Sequence, residues 1–89
     1  MRAVITVVGK DRTGIIAKVS TYLAEKEINI LDISQTIMQD LFTMMMLVDT
    51  KDSGVQAKEL SDALKALGEE MGLSINMQHE ELFSSMHRV

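Results

Sequence analysis

Two glycines five positions apart, Gly9 and Gly14, frame a short polar loop in the stretch VVGKDRTGII, residues 7–16. This spacing matches the glycines of a P-loop, which continues with a lysine for the phosphates and a Ser or Thr for magnesium. In this chain Ile15 and Ile16 follow the second glycine instead. The loop therefore lacks the groups that nucleotide binding of that type requires.

The same loop has features that suit a smaller anion. A turn from a strand into a helix directs backbone N–H groups, at the positive end of the helix dipole, toward the space above the loop. Gly14 has no Cβ, so a ligand could approach the backbone closely there. A carboxylate suits such a site as well as a phosphate does, which makes a small amino acid a sensible guest. The alternative interpretation is that Gly14 only permits the turn.

Hydrophobic periodicity predicts the elements that would hold this loop. Apolar residues recur at helical spacing over about 14–26, and Asp11 or Thr13 is suited to cap that helix. A second helical stripe runs through positions 60, 64, 67 and 71, and Gly72 is a good stop. Extended segments are predicted over residues 2–8, 29–39, 42–49 and 73–79, with Asp40 and Leu41 as a turn and with 29–39 alternating like a half-buried strand.

The order β-α-β-β-α-β predicts an α+β, ferredoxin-like fold. With right-handed crossovers it forms a four-stranded antiparallel sheet with two helices on one face. We assign residues 1–79 to one ligand-binding domain and residues 80–89 to a C-terminal tail that could form a short helix with Leu82, Phe83 and Met86 on one side. A sheet face left open would then be covered by a second chain or by this tail.

Composition excludes several classes of function. The chain has 89 residues, a net charge of -4 and three aromatic residues, which opposes nucleic-acid binding because neither a basic patch nor stacking platforms are available. It contains no cysteine, no long apolar segment and no convergent nucleophile and base. We therefore expect a soluble, cytoplasmic, non-catalytic protein without a cofactor or a membrane partner.

Two groups of residues could in principle bind a metal, but their positions favour a structural role or simple exposure to solvent. Met44, Met45 and Met46 in a predicted strand indicate core packing on one face and adaptable contact on the other. His79 and His87 are weak candidates for metal ligands, because two histidines eight positions apart near a chain end are usually solvated. We expect no physiological metal.

The segment GKDRTGIIAKVSTYLAEKEINILDISQ resembles the opening of an ACT domain, whose pattern is a strand, then D-R-P-G-hydrophobic, a helix, and an N-I pair at the start of the second strand. The resemblance covers about residues 2–79. It is similar in particular to small stand-alone ACT-domain proteins and to the ACT modules of the glycine cleavage system repressor and of formyltetrahydrofolate deformylase. The usual proline is Thr13, and Gly9 stands where some members have a histidine.

This resemblance implies a regulatory module that binds a small molecule, often an amino acid, and that dimerises edge to edge with the ligand at the shared interface. The motif covers Asp11, Arg12, Thr13, Gly14 and Ile15, and Asn29 of a neighbouring chain would complete the site. A zwitterion could place its carboxylate on the N–H groups near Thr13 to Ile15 and its ammonium on Asp11. Since no second domain is present to carry the output, an unnamed protein partner is implied. An assembly module with a vestigial ligand site, or an unrecognised enzyme, are the alternatives.

Overall fold

A computed structural model describes residues 1–81 of the chain. Six elements follow one another in the predicted order, and they begin and end close to the predicted residues. They are β1 (Arg2–Lys10), α1 (Ile15–Glu25), β2 (Asn29–Met38), β3 (Leu41–Asp49), α2 (Ala57–Met71) and β4 (Leu73–His79).

The four strands form one sheet in the order β2-β3-β1-β4, and every neighbouring pair is antiparallel. The α+β, ferredoxin-like fold is therefore confirmed. In this order β1 and β2 run in the same direction with β3 between them, so the loop after β1 and the turn after β2 lie at the same end of the sheet. A backbone hydrogen bond of 2.7 Å from Asp11 N–H to the carbonyl of Asp40 joins that loop to that turn.

The core lies between the helices and one face of the sheet. Alternate residues of the central strands are fully buried on this face, among them Ile5, Val7, Met44 and Met46. They pack against the apolar stripes of both helices, which include Val19, Leu23, Leu60 and Leu64. Met45 faces the other way and is partly exposed, so the methionine run divides between core and surface as its alternation predicted.

Helix α2 follows its predicted stripe. Its last turn ends at Gly72, which adopts a left-handed conformation with φ of 72°. One turn earlier, Gly68 is buried against β4: a Cβ at this position would lie 2.7 Å from the carbonyl oxygen of Leu73. The absence of a side chain therefore allows α2 to lie directly on β4.

Two expectations about β2 were wrong. The alternation of apolar and polar residues predicted a half-buried strand, yet every residue from Leu31 to Met38 is exposed, on both faces. The physical reason is that the helices cover mainly the other three strands, including β4, which is an edge strand as well. The turn that follows β2 consists of Gln39 and Asp40, and Leu41 already belongs to β3.

The second face of the sheet is not covered by either helix. Its first row, across the strands, is Asp32, Leu47, Val4 and Gln78, and its second row is Ser34, Met45, Thr6 and Asn76. We call this surface the open face. The predicted tail residues Leu82, Phe83 and Met86 lie outside the described residues. None of the helices found in residues 1–81 combines the length and the apolar character needed to span a membrane.

Candidate functional site

The loop between β1 and α1 consists of residues 11–14 and ends at Gly14, the N-cap of α1. Gly14 has φ of 90°, which an L-residue rarely adopts, and a Cβ built on it would meet nothing within 4 Å. The backbone conformation alone therefore accounts for the glycine. The open space in front of it is a separate fact, and it leaves the backbone accessible.

The expectation that Asp11 or Thr13 caps α1 was wrong. No side chain makes a capping hydrogen bond, and the first intrahelical bond runs from Lys18 N–H to the Gly14 carbonyl at 3.0 Å. The cap position is occupied by Gly14 itself, which has no side chain that could accept a hydrogen bond. The N–H groups of Ile15, Ile16 and Ala17 precede that first bond and have no partner within the helix. They remain available to a ligand.

A cavity of about 270 Å³ lies where the start of α1 meets the free edge of the sheet. Four of the predicted site residues line it, namely Asp11, Arg12, Gly14 and Ile15. The first turn of α1 contributes Ile16 and Ala17, and the opposite wall consists of Gln35, Ile37 and Phe42. Thr13 is an exposed turn residue and is not part of the lining.

The lining combines opposite charges with an apolar wall. Asp11 supplies an acceptor for a cationic group, whereas Arg12 and the free N–H groups of the first helical turn supply donors for an anionic group. Ile37 and Phe42 form an apolar side, and Gln35 can both donate and accept there. The arrangement can hold a small molecule that carries both an ammonium and a carboxylate.

Asn29 does not reach this cavity within one chain. It lies opposite Asp49 at the beginning of β2, and Asp49 in turn lies opposite Arg2 at the beginning of β1. The cavity is toward the other end of both strands: Gln35 and Ile37, which line it, are six and eight residues along β2 from Asn29, or about 20 and 26 Å at roughly 3.3 Å per residue. Any contact between Asn29 and a ligand in this cavity therefore requires a second copy of the chain.

The weak metal candidates do not form a site in the part of the chain that the structure describes. His79 accepts a hydrogen bond at Nδ1 from the N–H of Glu81, at 3.3 Å, and Glu80 pairs with Arg2 at 3.1 Å. Within residues 1–81, no three His, Asp or Glu side chains cluster closely enough to bind a metal ion. His87 lies outside the described residues.

Gln35 and Phe42 are lining residues that the sequence pattern did not indicate as functional. Gln35 had a usable signal, because it is a polar residue that interrupts the apolar positions Ile33 and Ile37 on one face of β2. Register confirms that these three share the helix-facing side, since they lie opposite the buried Met46, Met44 and Phe42. Phe42 carried no such signal, because a core aromatic residue and a cavity wall look alike in sequence.

The element order and the sheet order define this chain as a ferredoxin-like domain, and its strand-to-helix loop is accessible. The chain belongs to the ACT domain family, because the model of an ACT domain matches residues 2–78. ACT domains are typically regulatory modules that bind small ligands, and the family is non-catalytic.

Individual relatives agree with this assignment. The UPF0237 protein of Clostridium acetobutylicum is 55% identical over 89 residues, which is 100% of both chains. An ACT domain protein from Streptococcus pneumoniae has a similar structure, with a TM-score of 0.83, 43% identity and coverage of 93% of each chain. A putative glycine cleavage system transcriptional repressor matches with a TM-score of 0.73 and 30% identity over 86% of this chain and 44% of its own.

Proposed function

We propose that this chain is a regulatory sensor that binds a small amino acid in the cavity between the β1–α1 loop and β2, and that a second copy completes the site. The observation that carries the proposal is the juxtaposition of Asp11 and Arg12 with the first turn of α1 in one cavity, in a chain of the ACT family.

The charges on the lining match the two ends of a zwitterion. A carboxylate would accept from the guanidinium of Arg12 and from the unpartnered N–H groups of Ile15 and Ile16, an arrangement that the helix dipole favours. The ammonium group would donate to the carboxylate of Asp11. A ligand with only one of these charges would leave either Asp11 or Arg12 without a partner, so an amino acid fits better than a simple acid or amine.

The size of the cavity restricts the ligand further. Its volume of about 270 Å³ is just below the roughly 300–1,000 Å³ of sites for drug-sized ligands. Ile37 and Phe42 leave an apolar wall for a short side chain, and Gln35 can hydrogen bond to a small polar one. We therefore favour a small amino acid over a large aromatic or basic one.

The free edge of β2 is the surface that we assign to the dimer. Leu31, Ile33, Ile37 and Met38 are large exposed apolar residues on this strand, and Asp32 is the only charged residue between Asn29 and Met38. Edge strands that must stay unpaired usually carry lysine, proline or other protective features. Apart from the single charge of Asp32 and a register shift between Ile30 and Asp32, β2 has none of these, so we expect it to pair with another strand.

Pairing two β2 strands antiparallel would bring Asn29 to the cavity. If the two-fold axis passes near Ile33 and Ser34, Asn29 of one copy lies opposite Met38 of the other, at the end of the sheet where the cavity is located. Asn29 lies opposite Asp49, on the side of the sheet that carries Leu47 and Met45, so the amide of Asn29 of the second copy would reach around the start of its strand to hydrogen bond with the bound amino acid. One ligand would contact both chains, and ligand binding would strengthen the dimer.

The proposal includes a second protein that responds to the liganded state of this module. The absence of cysteine fits a cytosolic setting for both. Affinity capture with and without the amino acid would identify that protein. The expected result is a partner whose recovery changes when the ligand is added.

The test of ligand binding is calorimetry with a panel of the twenty amino acids. We expect a small amino acid to bind, and Asp11→Asn and Arg12→Gln each to weaken binding at least tenfold. Glu70→Gln and Lys65→Gln are the matched controls, since these exposed residues lie on α2, the helix that packs on β4 and not on β2, and should leave binding unchanged. If no amino acid produces heat or a thermal shift while the dimer persists, the chain is an assembly module and the sensor proposal is wrong.

A further inference from the structure

The open face takes no part in the proposed ligand site, and its residues divide into a centre and a rim. The central strands β1 and β3 contribute four apolar residues and two threonines, namely Val4, Val8, Met45, Leu47, Thr6 and Thr43. In the same three rows the edge strands contribute polar residues only, namely Asp32, Ser34 and Thr36 on β2 and Ser74, Asn76 and Gln78 on β4. An apolar centre within a polar rim is characteristic of protein–protein interfaces.

Neither helix covers this centre, because both helices pack on the other face of the sheet. Met45 is 36% exposed, and Leu47, Thr6 and Val8 are partly exposed. A cavity of about 300 Å³ lies above Val4, Met45 and Leu47. No side chain of residues 1–81 fills this cavity, so its apolar floor can receive a side chain from another chain.

The charged residues of the open face are distributed unevenly along the strands. At one end three carboxylates, those of Asp32, Asp49 and Glu80, accompany one guanidinium, that of Arg2, which pairs with Glu80 at 3.1 Å. Even with the N-terminal ammonium 3.7 Å from Asp49, the carboxylates outnumber the cations there. At the other end Lys10 is the only charged residue that the four strands direct to this face. One end is therefore acidic and the other is basic.

We propose that the open face binds the open face of a second copy of this chain, stacked sheet on sheet with its strands reversed. The two-fold axis lies between the two sheets, runs across the strands and is level with Met45. Each Met45 then faces its counterpart, and Val4 lies over Val8 of the second copy. The acidic end of each face lies over the basic end of the other.

Both the centre and the ends are complementary in this orientation. Stacked sheets lie about 10 Å apart, so that their side chains interdigitate. Met45 of the second copy enters the cavity, because its unbranched thioether side chain adapts to irregular gaps. Lys10 of the second copy lies between Asp49 and Glu80, where opposite charges attract. If the strands were not reversed, the two acidic ends would face each other.

The same orientation is compatible with the proposed pairing of β2 strands. Ser34 lies opposite Met45 in the register of β2 and β3, so the two-fold axis near Ile33 and Ser34 and the axis at Met45 are level with each other. Two-fold axes that cross at right angles generate a closed assembly of four chains. The tetramer rests on the proposed β2 dimer, whereas the stacked contact does not.

Analytical ultracentrifugation of the full chain with Ile33→Lys tests the stacked contact alone, because this change opposes β2 pairing. We expect this variant still to form dimers, and Met45→Lys added to it to raise their dissociation constant about 100-fold, because two lysines then meet at the axis. Met45 is partly exposed, so the monomer should stay folded. Asn76→Lys, in the same row at the rim, is the matched control and should leave the dimer nearly unchanged, because a lysine there extends into solvent.

The absence of cysteine from the chain allows a second measurement. Met45→Cys places a single thiol at the proposed axis, and its alkylation by iodoacetamide should slow as the protein concentration rises. A rate that does not depend on protein concentration would overturn the proposal: if it is slow, a segment of the same chain covers the face, and if it is fast, nothing covers it. An Ile33→Lys variant that is monomeric at every concentration would also overturn it, and would leave the ligand site and the β2 dimer unaffected.

Discussion

The two edge strands of the sheet differ in how they are covered. β4 has seven residues, and its apolar side chains Leu73 and Ile75 are buried beneath α2. β2 has ten residues, and on the same helix-facing side Ile33 is 41% exposed and Ile37 is 51% exposed. Both strands carry aliphatic residues on the same face, yet only one of them contributes those residues to the core.

The difference lies in the helices rather than in the strands. Gly68 lets α2 approach the backbone of β4 closely, so that Leu73 and Ile75 are buried beneath the helix. Above β2 the start of α1 leaves Ile33 and Ile37 exposed beside the cavity. The covered edge supports the fold, while the uncovered edge is available for a ligand and for a second chain. Variants at equivalent positions of the two strands should therefore affect different properties.

The largest effect on stability is expected at the covered edge. Ile75 is 2% exposed, so Ile75→Ala should lower the free energy of unfolding by about 2–5 kcal/mol, because a buried cavity replaces the side chain. Ile33→Ala should cost less than about 1 kcal/mol. Urea denaturation at a protein concentration low enough to keep the chain monomeric measures both. Equal losses would contradict the contrast between the two edges.

Self-association should respond at the other edge. Ile33→Lys places two lysines close to the proposed two-fold axis, and an unpaired charge buried there costs about 3 kcal/mol or more. This corresponds to a dimer dissociation constant raised about 100-fold, which analytical ultracentrifugation measures. Asn76→Lys on β4 is the matched control. If the β4 variant separates the chains and the β2 variant does not, the dimer interface is at β4 and our assignment to β2 is wrong.

A smaller effect tests why β4 is covered. A Cβ on Gly68 would lie 2.7 Å from the Leu73 carbonyl oxygen and 3.2 Å from the Ile75 nitrogen. Because both atoms belong to the backbone, Gly68→Ala should push α2 away from β4 and cost about 1–3 kcal/mol, although alanine is the better helix former. Gly54→Ala, where a Cβ meets nothing within 4 Å, should change stability by less than about 0.5 kcal/mol. A stabilised Gly68→Ala variant would show that the contact is loose.

The fold was largely predictable because each element carries its own local pattern. The stripe at 60, 64, 67 and 71 predicts α2 by itself, and Gly72 ends it in the left-handed conformation that glycine favours. Exposure of β2 was not predictable in this way. Alternation tells which residues share a face, whereas burial depends on whether a helix lies over that face, which is a property of the whole molecule.

The candidate site was predictable only where its residues are contiguous. Asp11, Arg12, Gly14 and Ile15 follow one another on the loop, and a family motif covers them. Gln35 is distant in sequence and reaches the cavity only through the register of β2 with β3. Its polarity on an otherwise apolar face was a signal, but this signal acquires a meaning only once the cavity beside it is known.

The smallest effect on stability separates the two proposed roles of β2. Gln35 is exposed and lines the cavity, so Gln35→Leu should change the free energy of unfolding by less than about 0.5 kcal/mol. It should nevertheless weaken binding of a small polar amino acid such as serine about tenfold, because one hydrogen bond of about 1.4 kcal/mol is lost. Binding of glycine, which has no side chain for Gln35 to contact, serves as the internal control in the same calorimetric titration.

If serine and glycine lose affinity equally, Gln35 supports the shape of the cavity without contacting the ligand side chain. If the variant instead dissociates the dimer, β2 acts through the interface alone.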